Sequence, residues 1–469
     1  MNIYKHDIDR ILYLLYGDRV DDAFAIDKVL TNRTAKRIGD GYEFKSMKSN
    51  VVKYIMRHTM SVCTDKPRCK ICELKIFCRH YRKQVEIKNY IGMLTIVDLF
   101  CGAGGLSLGF YRKGFKTVFA NDIKHCCIET YRLNHPEVSE KRIVNKDISL
   151  IKTELSELTE GIDVDVLVGG PPCQGFSCAN RQRMIDDPRN TMYKHFVESI
   201  EIVKPKFFVM ENVYGILKIK QEIIDDLSSL SVKYDVFPVI VDAAEFGVPQ
   251  YRRRVLFIGN RLGLSSKNIA DEFIKTGKNF HHTKLDDALY GMKKLEANKE
   301  INTTDKNSKI CGSKIDIVNW TMSNDYIRWI NKGLTGKLVF NHKARYNNSR
   351  DIEIFSRLHP GDKSDDPKIA DIMPYHRRNA IFKDKYFRLQ GDKPCKTITA
   401  HMKYDCNMYI HPRENRGLTP REAARIQSYP DSYFFAGPYT LTYMQIGNSV
   451  PPLLAEALVK VLKRYLKKG

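Results

Sequence analysis

Long apolar runs are absent from this chain of 469 residues. No stretch approaches the ~20 apolar residues that span a bilayer. The amino terminus, carrying Asp7, Asp9 and Arg10, has no apolar signal core. Internal repeats and low-complexity linkers are also missing, so a solenoid or a linker-rich array is excluded. Acidic residues are in short supply: 55 Asp+Glu against 77 Lys+Arg leaves a net charge of +22 and a pI near 9.3. That excess reaches the range of nucleic-acid binders, with solubility alone as the plainer explanation. A hydrophobic content of 43% excludes a wholly disordered chain. These features predict a soluble, cytoplasmic protein with no membrane partner. Disulfides are rare in that compartment, so the 12 cysteines call for another explanation: reduced thiols, metal ligands or a nucleophile.

What is present divides the chain into four stretches. Residues 1–92 read as mostly helical, with Ile8, Ile11, Leu12, Leu15 and then Val51, Val52, Ile55, Met56 at helical spacing. Residues 93–262 alternate short β-rich runs with amphipathic stretches, the pattern of an α/β doubly wound parallel sheet. The runs are Leu94–Phe100, Thr117–Asn121, Val164–Gly169, Phe207–Met210, Val236–Val241 and Val255–Gly259. Residues 263–415 lose that alternation; they are polar and basic and hold both tryptophans, Trp320 and Trp329. In residues 416–469, Thr419 and Pro420 open one helix, and Pro451–Pro452 precede another with a basic tail.

Ligands of open parallel sheets sit beyond the carboxyl ends of the strands. After the first run comes Asp98-Leu-Phe-Cys-Gly-Ala-Gly-Gly105, where Gly102, Gly104 and Gly105 let a ligand approach a helix amino terminus. Any tight strand-to-helix turn needs glycine too, and the Gly-Lys-Ser/Thr ending of a phosphate-binding loop is lacking. The second run ends at Asp122, 24 residues after Asp98, an offset that suits ribose hydroxyls, and Asp147 is placed to reach an adenine amino group. Each acid alone could equally be a helix cap. Together with the glycine turn they describe a nucleoside pocket without a phosphate clamp, which suits S-adenosylmethionine better than NAD or ATP. Further strand ends bring Gly169-Gly-Pro-Pro-Cys-Gln-Gly-Phe-Ser177, Met210-Glu-Asn-Val213 and Phe246-Gly-Val-Pro-Gln-Tyr-Arg-Arg-Arg254 to the same cleft. A cysteine is commonly a small buried hydrophobe, but prolines and a Gln-Gly turn around Cys173 point to a rigid, ligand-facing loop.

At these residues the chain resembles the DNA (cytosine-5)-methyltransferase family, over roughly residues 94–264 and 341–462. The resemblance rests on Pro-Pro-Cys-Gln-Gly at 171–175, Glu-Asn-Val at 211–213, Gln-Tyr-Arg-Arg-Arg at 250–254, Arg-Gly-Leu-Thr-Pro-Arg-Glu-Ala-Ala-Arg-Ile-Gln at 416–427, and Gln-Ile-Gly-Asn-Ser-Val-Pro-Pro at 445–452. It implies a Rossmann-like S-adenosylmethionine-dependent catalytic domain with a mixed target-recognition domain at 263–415, completed by the carboxyl-terminal segment. It implies that Cys173 is the nucleophile toward carbon 6 of cytosine, that Glu211 holds the ring N3 edge, and that Arg252 and Arg254 engage the base carbonyl side and help position the cysteine loop. For the cofactor it implies Phe100, Gly102, Gly104, Asp122, Asp147, Ile148, Pro172, Asn448 and Val450. Asp122 stands where most members have glutamate, one methylene shorter. The recognition stretch is expected to present Asn341-His-Lys-Ala-Arg345, Tyr375-His-Arg-Arg378, Lys383–Arg388 and Lys396-Thr-Ile-Thr-Ala-His401 to DNA, although most individual lysines could simply form a solvated face.

Cys63, Cys69, Cys72 and Cys78 lie outside that pattern, within 16 residues and spaced x5, x2, x5. Four such close thiols favour a metal site over unrelated packing. The segment resembles the iron–sulfur loop of endonuclease III-type DNA glycosylases, one residue shorter in its first interval. A [4Fe–4S] cluster is favoured, with zinc as the alternative, in a small helical metal-binding region made basic by Lys66, Arg68, Lys70, Lys75 and Arg79. The expected activity is methylation of an extruded cytosine in double-stranded DNA, by a monomer that either serves a restriction–modification system beside a cognate endonuclease or is a solitary bacterial or archaeal enzyme. A tRNA cytosine methyltransferase is the alternative, though its Cys-Phe-Thr marker is absent. A non-catalytic DNA-binding regulator is the third reading, opposed by the intact Cys173, Glu211 and arginine set.

Overall fold

The computed structural model describes residues 36–38, 41–43, 72, 81–82, 85–172, 192–277, 282–304, 306–317, 324–332, 338–374 and 385–467. Cys63, Cys69, Cys78, Cys173, Trp320 and Tyr375–Arg378 lie outside the described residues. Before residue 81 the described backbone comprises a short antiparallel hairpin, Lys36–Ile38 with Gly41–Glu43, and buried Cys72.

Seven strands form the central sheet: β1 Thr95–Leu99, β2 Lys116–Asn121, β3 Ile143–Val144, β4 Val166–Gly169, β5 Phe207–Val213, β6 Asp235–Asp242 and β7 Arg253–Asn260. Their spatial order is β3-β2-β1-β4-β5-β7-β6. The sheet is parallel through β5, but β7 runs antiparallel to both β5 and β6. The expectation of a wholly parallel sheet is therefore corrected to a mixed one. The reason is the connection: residues 243–252 hold only a short 3-10 turn at Ala243–Phe246, too little chain for the crossover of a dozen or more residues that parallel pairing needs. The last two strands close as a hairpin instead.

Side chains alternate across this sheet, as strand geometry requires. Ile96, Val166, Val168, Phe207 and Val209 face one helical layer, made of α1 Gly105–Arg112, α6 Ser266–Gly277 and α12 Pro452–Leu466. Val97, Leu99, Leu167, Phe208 and Met210 face the other, made of α3 Lys152–Thr159, α4 Met192–Val203 and α5 Lys220–Ser228. Between α1 and α3 in the chain lies α2, His125–Asn134. Burial on both faces explains why the strands read as near-continuous apolar runs. The chain's last helix, α12, packs directly on its first sheet helix: a Cβ at Gly109 would meet Ala455 Cβ at 2.4 Å and Pro452 O at 2.8 Å.

Residues beyond α6 build a second body around an antiparallel hairpin, β8 Gly312–Ile317 and β9 Leu338–Lys343, with short helices α7 Leu285–Leu289, α8 Asp325–Ile330 and α9 Ser349–Arg357. It has its own small core of Ile354, Phe355, Leu358, Ile369, Met373, Tyr386 and Ile410. Helix α10, Pro420–Ile426, joins it to the sheet domain. A capping box between Thr419 and Glu422, with Pro420 in the first turn, starts this helix. Its two arginines, Arg421 and Arg425, are fully buried, as is Arg416 just before it. Arg416 grips the Glu422 carboxylate at 2.7 and 2.8 Å, Arg425 pairs with Asp431 at 2.7 Å, and Arg421 donates to the carbonyls of Phe340, Pro430 and Tyr433. Burial alone would raise the Glu422 carboxyl, but the adjoining Arg416 holds it well below the usual range. Helix α11, Tyr439–Asn448, then leads back toward the sheet edge.

Candidate active site

The turn after β1 is built for close approach. Phe100 adopts φ 53°, a left-handed conformation uncommon outside glycine, and Gly104 follows with φ 81°. A Cβ at Gly104 would lie 2.9 Å from both His135 Nε2 and Tyr433 Oη, so only glycine fits there. Gly102 is different: its missing Cβ would point into open space. Gly104 caps α1 without any side chain, so the helix presents its first N–H groups uncapped. Beneath the turn, Asp98 Oδ2 accepts the Ser107 hydroxyl at 2.6 Å, while the buried Oδ1 has no hydrogen-bond partner among the described residues. Burial pushes this carboxyl up to about 7.

The ends of β2 and β3 lie beside that turn. Asp122 accepts the N–H of Gly102 at 2.9 Å and that of Lys124 at 2.7 Å, so its carboxylate braces the glycine turn as well as facing it. Asp147 caps the following 3-10 turn, accepting from Ser149 N and Oγ at 2.9 and 2.8 Å, bonds that hold it below the usual carboxylate range. Ile148 is buried beside it. Two residues that sequence reasoning missed tie these loops together. Asn121 donates to the carbonyls of Val144 and Lys146, and Asn145 to those of Asp122 and Ile123. Their signal was an asparagine one residue before Asp122 and another two residues before Asp147. From the carboxyl-terminal side, Val450 O would lie 2.2 Å from a Cβ at Gly105, and Asn448 is exposed just before it.

Farther along the same edge, β5 ends at Glu211 and β7 begins near Arg254. Antiparallel pairing puts Val213 opposite Arg254 and Glu211 opposite Leu256, all on one face of the sheet. Arg254 Nε stands 2.8 Å from Glu211 Oε1, and both side chains keep a little exposure, 15% and 11%. The loop leaving β4 lies over this pair: a Cβ at Gly170 would be 3.1 Å from Glu211 Oε2, and Asn212 Nδ2 donates to Pro171 O at 3.0 Å. Pro172 is exposed.

Arg252 departs from expectation. It is 1% exposed, and its guanidinium donates to the carbonyls of Ile398 at 2.9 Å, Gly447 at 3.1 Å and Ser449 at 2.9 Å. With those donors so engaged, the side chain bridges the 396–401 segment and the residues on either side of Asn448. Burial, with Arg254 adding repulsion, draws the guanidinium down to about 9, still charged at neutral pH. Gln250, equally buried, accepts Ile398 N–H and donates to Gln427 Oε1. Thr397 donates to Tyr251 O at 2.6 Å. The Lys396–His401 segment is thus docked on residues 250–252.

The expectation for Asn341–Arg345 is corrected. These residues form β9 and the turn after it, and Asn341, His342 and Lys343 are buried. Asn341 exchanges hydrogen bonds with the Phe435 backbone, His342 contacts Thr419 Oγ1 and Lys293 O, and Arg345 donates to the carbonyls of Met402, Lys403 and Tyr404. Arg388 is likewise buried, against Phe355 O, Leu358 O and Pro412 O. These polar groups are turned inward because every carbonyl buried there needs a donor. Exposed aromatics sit nearer the Glu211–Arg254 pair and were missed by pattern reading: Tyr214, Tyr251 and, beside the latter, His282.

Comparison with known proteins matches residues 94–464 to the family described as C-5 cytosine-specific DNA methylase. Type II methyltransferase M.DdeI of Desulfomicrobium norvegicum is 33% identical over 400 residues, covering 80% of this chain and 89% of that protein. Type II methyltransferase M.NgoFVII of Neisseria gonorrhoeae is 34% identical over 376 residues, covering 79% and 86%. Among solved structures, one described as a DNA modification methyltransferase encoded within an E. coli prophage aligns with a TM-score of 0.61 at 27% identity, covering 80% of this chain and 99% of that one.

Proposed function

This chain belongs to the C-5 cytosine-specific DNA methylase family and is a DNA (cytosine-5)-methyltransferase, and from that premise we propose which of its residues carry the reaction. S-adenosylmethionine binds at the turn of Phe100, Gly102 and Gly104, with Asp122 toward the ribose, Asp147 and Ile148 framing adenine, and Pro172, Asn448 and Val450 closing the pocket. The cofactor supplies a methyl group on an electrophilic sulfonium. Two observations support the fit: the open space beyond Gly102, and the buried Asp98 oxygen that has no donor among the described residues, where a cationic ligand is favoured.

Carbon 5 of cytosine is a weak nucleophile, so the ring needs activation. Cys173 adds as thiolate to carbon 6, and the electron density gained at carbon 5 makes it reactive. Glu211 holds the N3 edge and favours the protonated ring, and Arg254 steers that carboxylate while facing the base carbonyl side. Arg252 acts as a positioning residue through the backbone it grips. Loss of the carbon 5 proton then expels Cys173 and restores the ring. Carbon 6 is inaccessible in a stacked duplex, so the base is extruded first. The observation that carries this reading is the 2.8 Å Glu211–Arg254 pair beneath the Gly170–Pro171 backbone, which Asn212 holds and which leads directly into Cys173.

The test is methyl transfer from labelled cofactor to duplex DNA and to tRNA. The expected product is 5-methylcytosine in DNA; transfer to tRNA alone, or to neither, overturns the reading. The type II relatives support a place in restriction–modification, beside an endonuclease for the same site. We further propose a cytoplasmic monomer divided as residues 1–92, 93–262, 263–415 and 416–469, the third being the target-recognition region. Among the described residues no helix is long and apolar enough to cross a membrane.

For Cys63, Cys69, Cys72 and Cys78 we propose a [4Fe–4S] cluster, with zinc as the alternative, in a structural DNA-docking module. Support comes from the spacing and the flanking basic residues. Among the described residues there is no group of ligands that could hold a metal; of these four cysteines, only Cys72 is described. Protein purified anaerobically should be brown and contain about four irons per chain. Colourless protein containing zinc would overturn the iron assignment.

A further inference from the structure

Residues 251–254 alternate in direction. While Arg252 is buried and Arg254 turns to Glu211, Tyr251 and Arg253 are exposed. The Arg253 guanidinium lies 4.9 Å from the centroid of the Tyr214 ring. Tyr214 immediately follows β5, and Tyr214 and Tyr251 are each 46% exposed. Tyr251 has His282 beside it at 6.2 Å between ring centroids. Because β7 is antiparallel to β5, its first residue stands at the same sheet edge as the end of β5, where the Glu211–Arg254 pair lies.

Arg253 has no ion pair among the described residues. The carboxylate opposite it in register, Asp242, accepts the N–H groups of Ala244 and Arg252 at 3.1 and 2.9 Å. Lys218 and Lys220, exposed after Tyr214, add charge of the same sign. A guanidinium resting on an aromatic face loses rotamer freedom while keeping its N–H edge available. Such a fork is suited to a phosphate.

We propose that Arg253, held on Tyr214, binds a backbone phosphate of the DNA strand that carries the target cytosine, with Tyr251 and His282 flanking the contact. The proposal rests on the DNA-methylase reading of the cleft and adds a positioning residue to it. The contact is sequence-independent and holds the strand beside the catalytic pair.

The test measures equilibrium binding of the full chain to two DNA fragments of equal length across a salt series. One fragment carries a site found methylated in a host expressing the protein, and the other lacks it. Arg253→Ala should weaken both fragments alike, by about tenfold at 0.1 M salt, and make the slope of log affinity against log salt shallower by about 1. Arg253→Lys should keep the slope and recover part of the affinity. Affinity for S-adenosylmethionine and the melting temperature should not change. An unaltered slope in Arg253→Ala, a loss confined to the site-bearing fragment, or a parallel loss of cofactor affinity would each overturn the phosphate contact. Wild-type protein that methylates neither fragment defeats the DNA-methylase reading itself. A methylating wild type whose Arg253→Ala variant binds DNA normally defeats this inference alone.

Discussion

Cys173→Ala should lower single-turnover methyl transfer to DNA by on the order of 10⁴-fold or more, while the protein still binds cofactor and duplex. Carbon 5 cannot attack a sulfonium methyl until carbon 6 has received an electron pair, and no other thiol is offered at this edge by the described residues. Cys101, Cys126, Cys127, Cys395 and Cys406 are all buried; burial pushes the Cys395 and Cys406 thiols up to about 12 and 11, and although its hydrogen bond with Cys127 draws Cys126 down to about 7, burial withholds that sulfur from a substrate. Glu211→Gln should lower transfer by about 10²–10⁴-fold, the usual contribution of a positioned acid–base group. Its partner adds a check. Arg254 Nε lies 2.8 Å from Glu211 Oε1, so Glu211→Gln removes the charge that orients Arg254 together with the group proposed to hold N3. The two losses must not add: in a Cys173→Ala background Glu211→Gln should have almost no further effect, because a ring that receives no nucleophile gains nothing from protonation at N3. Single-turnover rates of the four proteins decide the matter. Additive losses would mean that Glu211 acts in a step separate from Cys173 addition.

Much of this edge could be read from the residues, for a physical reason. Strands buried on both faces must be apolar runs, so the ends of the runs marked the ends of β1, β2, β4 and β5 to within a few residues, and with them Asp98, Asp122, Gly169 and Glu211. Helices α10 and α12 were legible from Thr419-Pro420 and Pro452, because capping chemistry is local. The direction of β7 was not legible: a run such as Val255–Gly259 is equally apolar in either direction, and only the short 243–252 connection discriminates. Strand β3, two residues long, has no pattern to read. The buried polar groups of the second body were misread for the opposite reason. Asn341, His342 and Arg388 look like surface residues, yet their partners Phe435, Thr419 and Phe355 come from 94, 77 and 33 residues away. No local signal announces a donor whose acceptor arrives from so far along the chain.

Arg252 is the strongest case of that kind, and its removal should have the second largest effect. Arg252→Leu leaves the carbonyls of Ile398 and Gly447 without their donor in a site 1% exposed, and leaves Ser449 O with only the longer 3.3 Å bond from Gln427 Nε2. An unsatisfied buried acceptor costs about 1–3 kcal/mol, and with partial entry of water the total loss of stability should be about 3–5 kcal/mol, measured by urea unfolding. The loss should also be functional in a specific way. Gly447 and Ser449 bracket Asn448, and Val450 closes on Gly105 one residue later, so loosening them should open the pocket proposed for the cofactor. Ile398 anchors the segment whose Thr397 is bonded to Tyr251, so the DNA side loosens at the same time. Titration calorimetry should therefore show cofactor affinity reduced by tenfold or more at temperatures where the variant remains folded. Arg252→Lys should rescue little of it, since a single ammonium cannot span three carbonyls set by a planar fork. By contrast, Arg254→Lys keeps a charge beside Glu211 and should leave cofactor affinity intact. Equal cofactor losses in Arg252→Lys and Arg254→Lys would show that the clamp does not govern the pocket, and that Arg252 stabilises the fold without shaping the site.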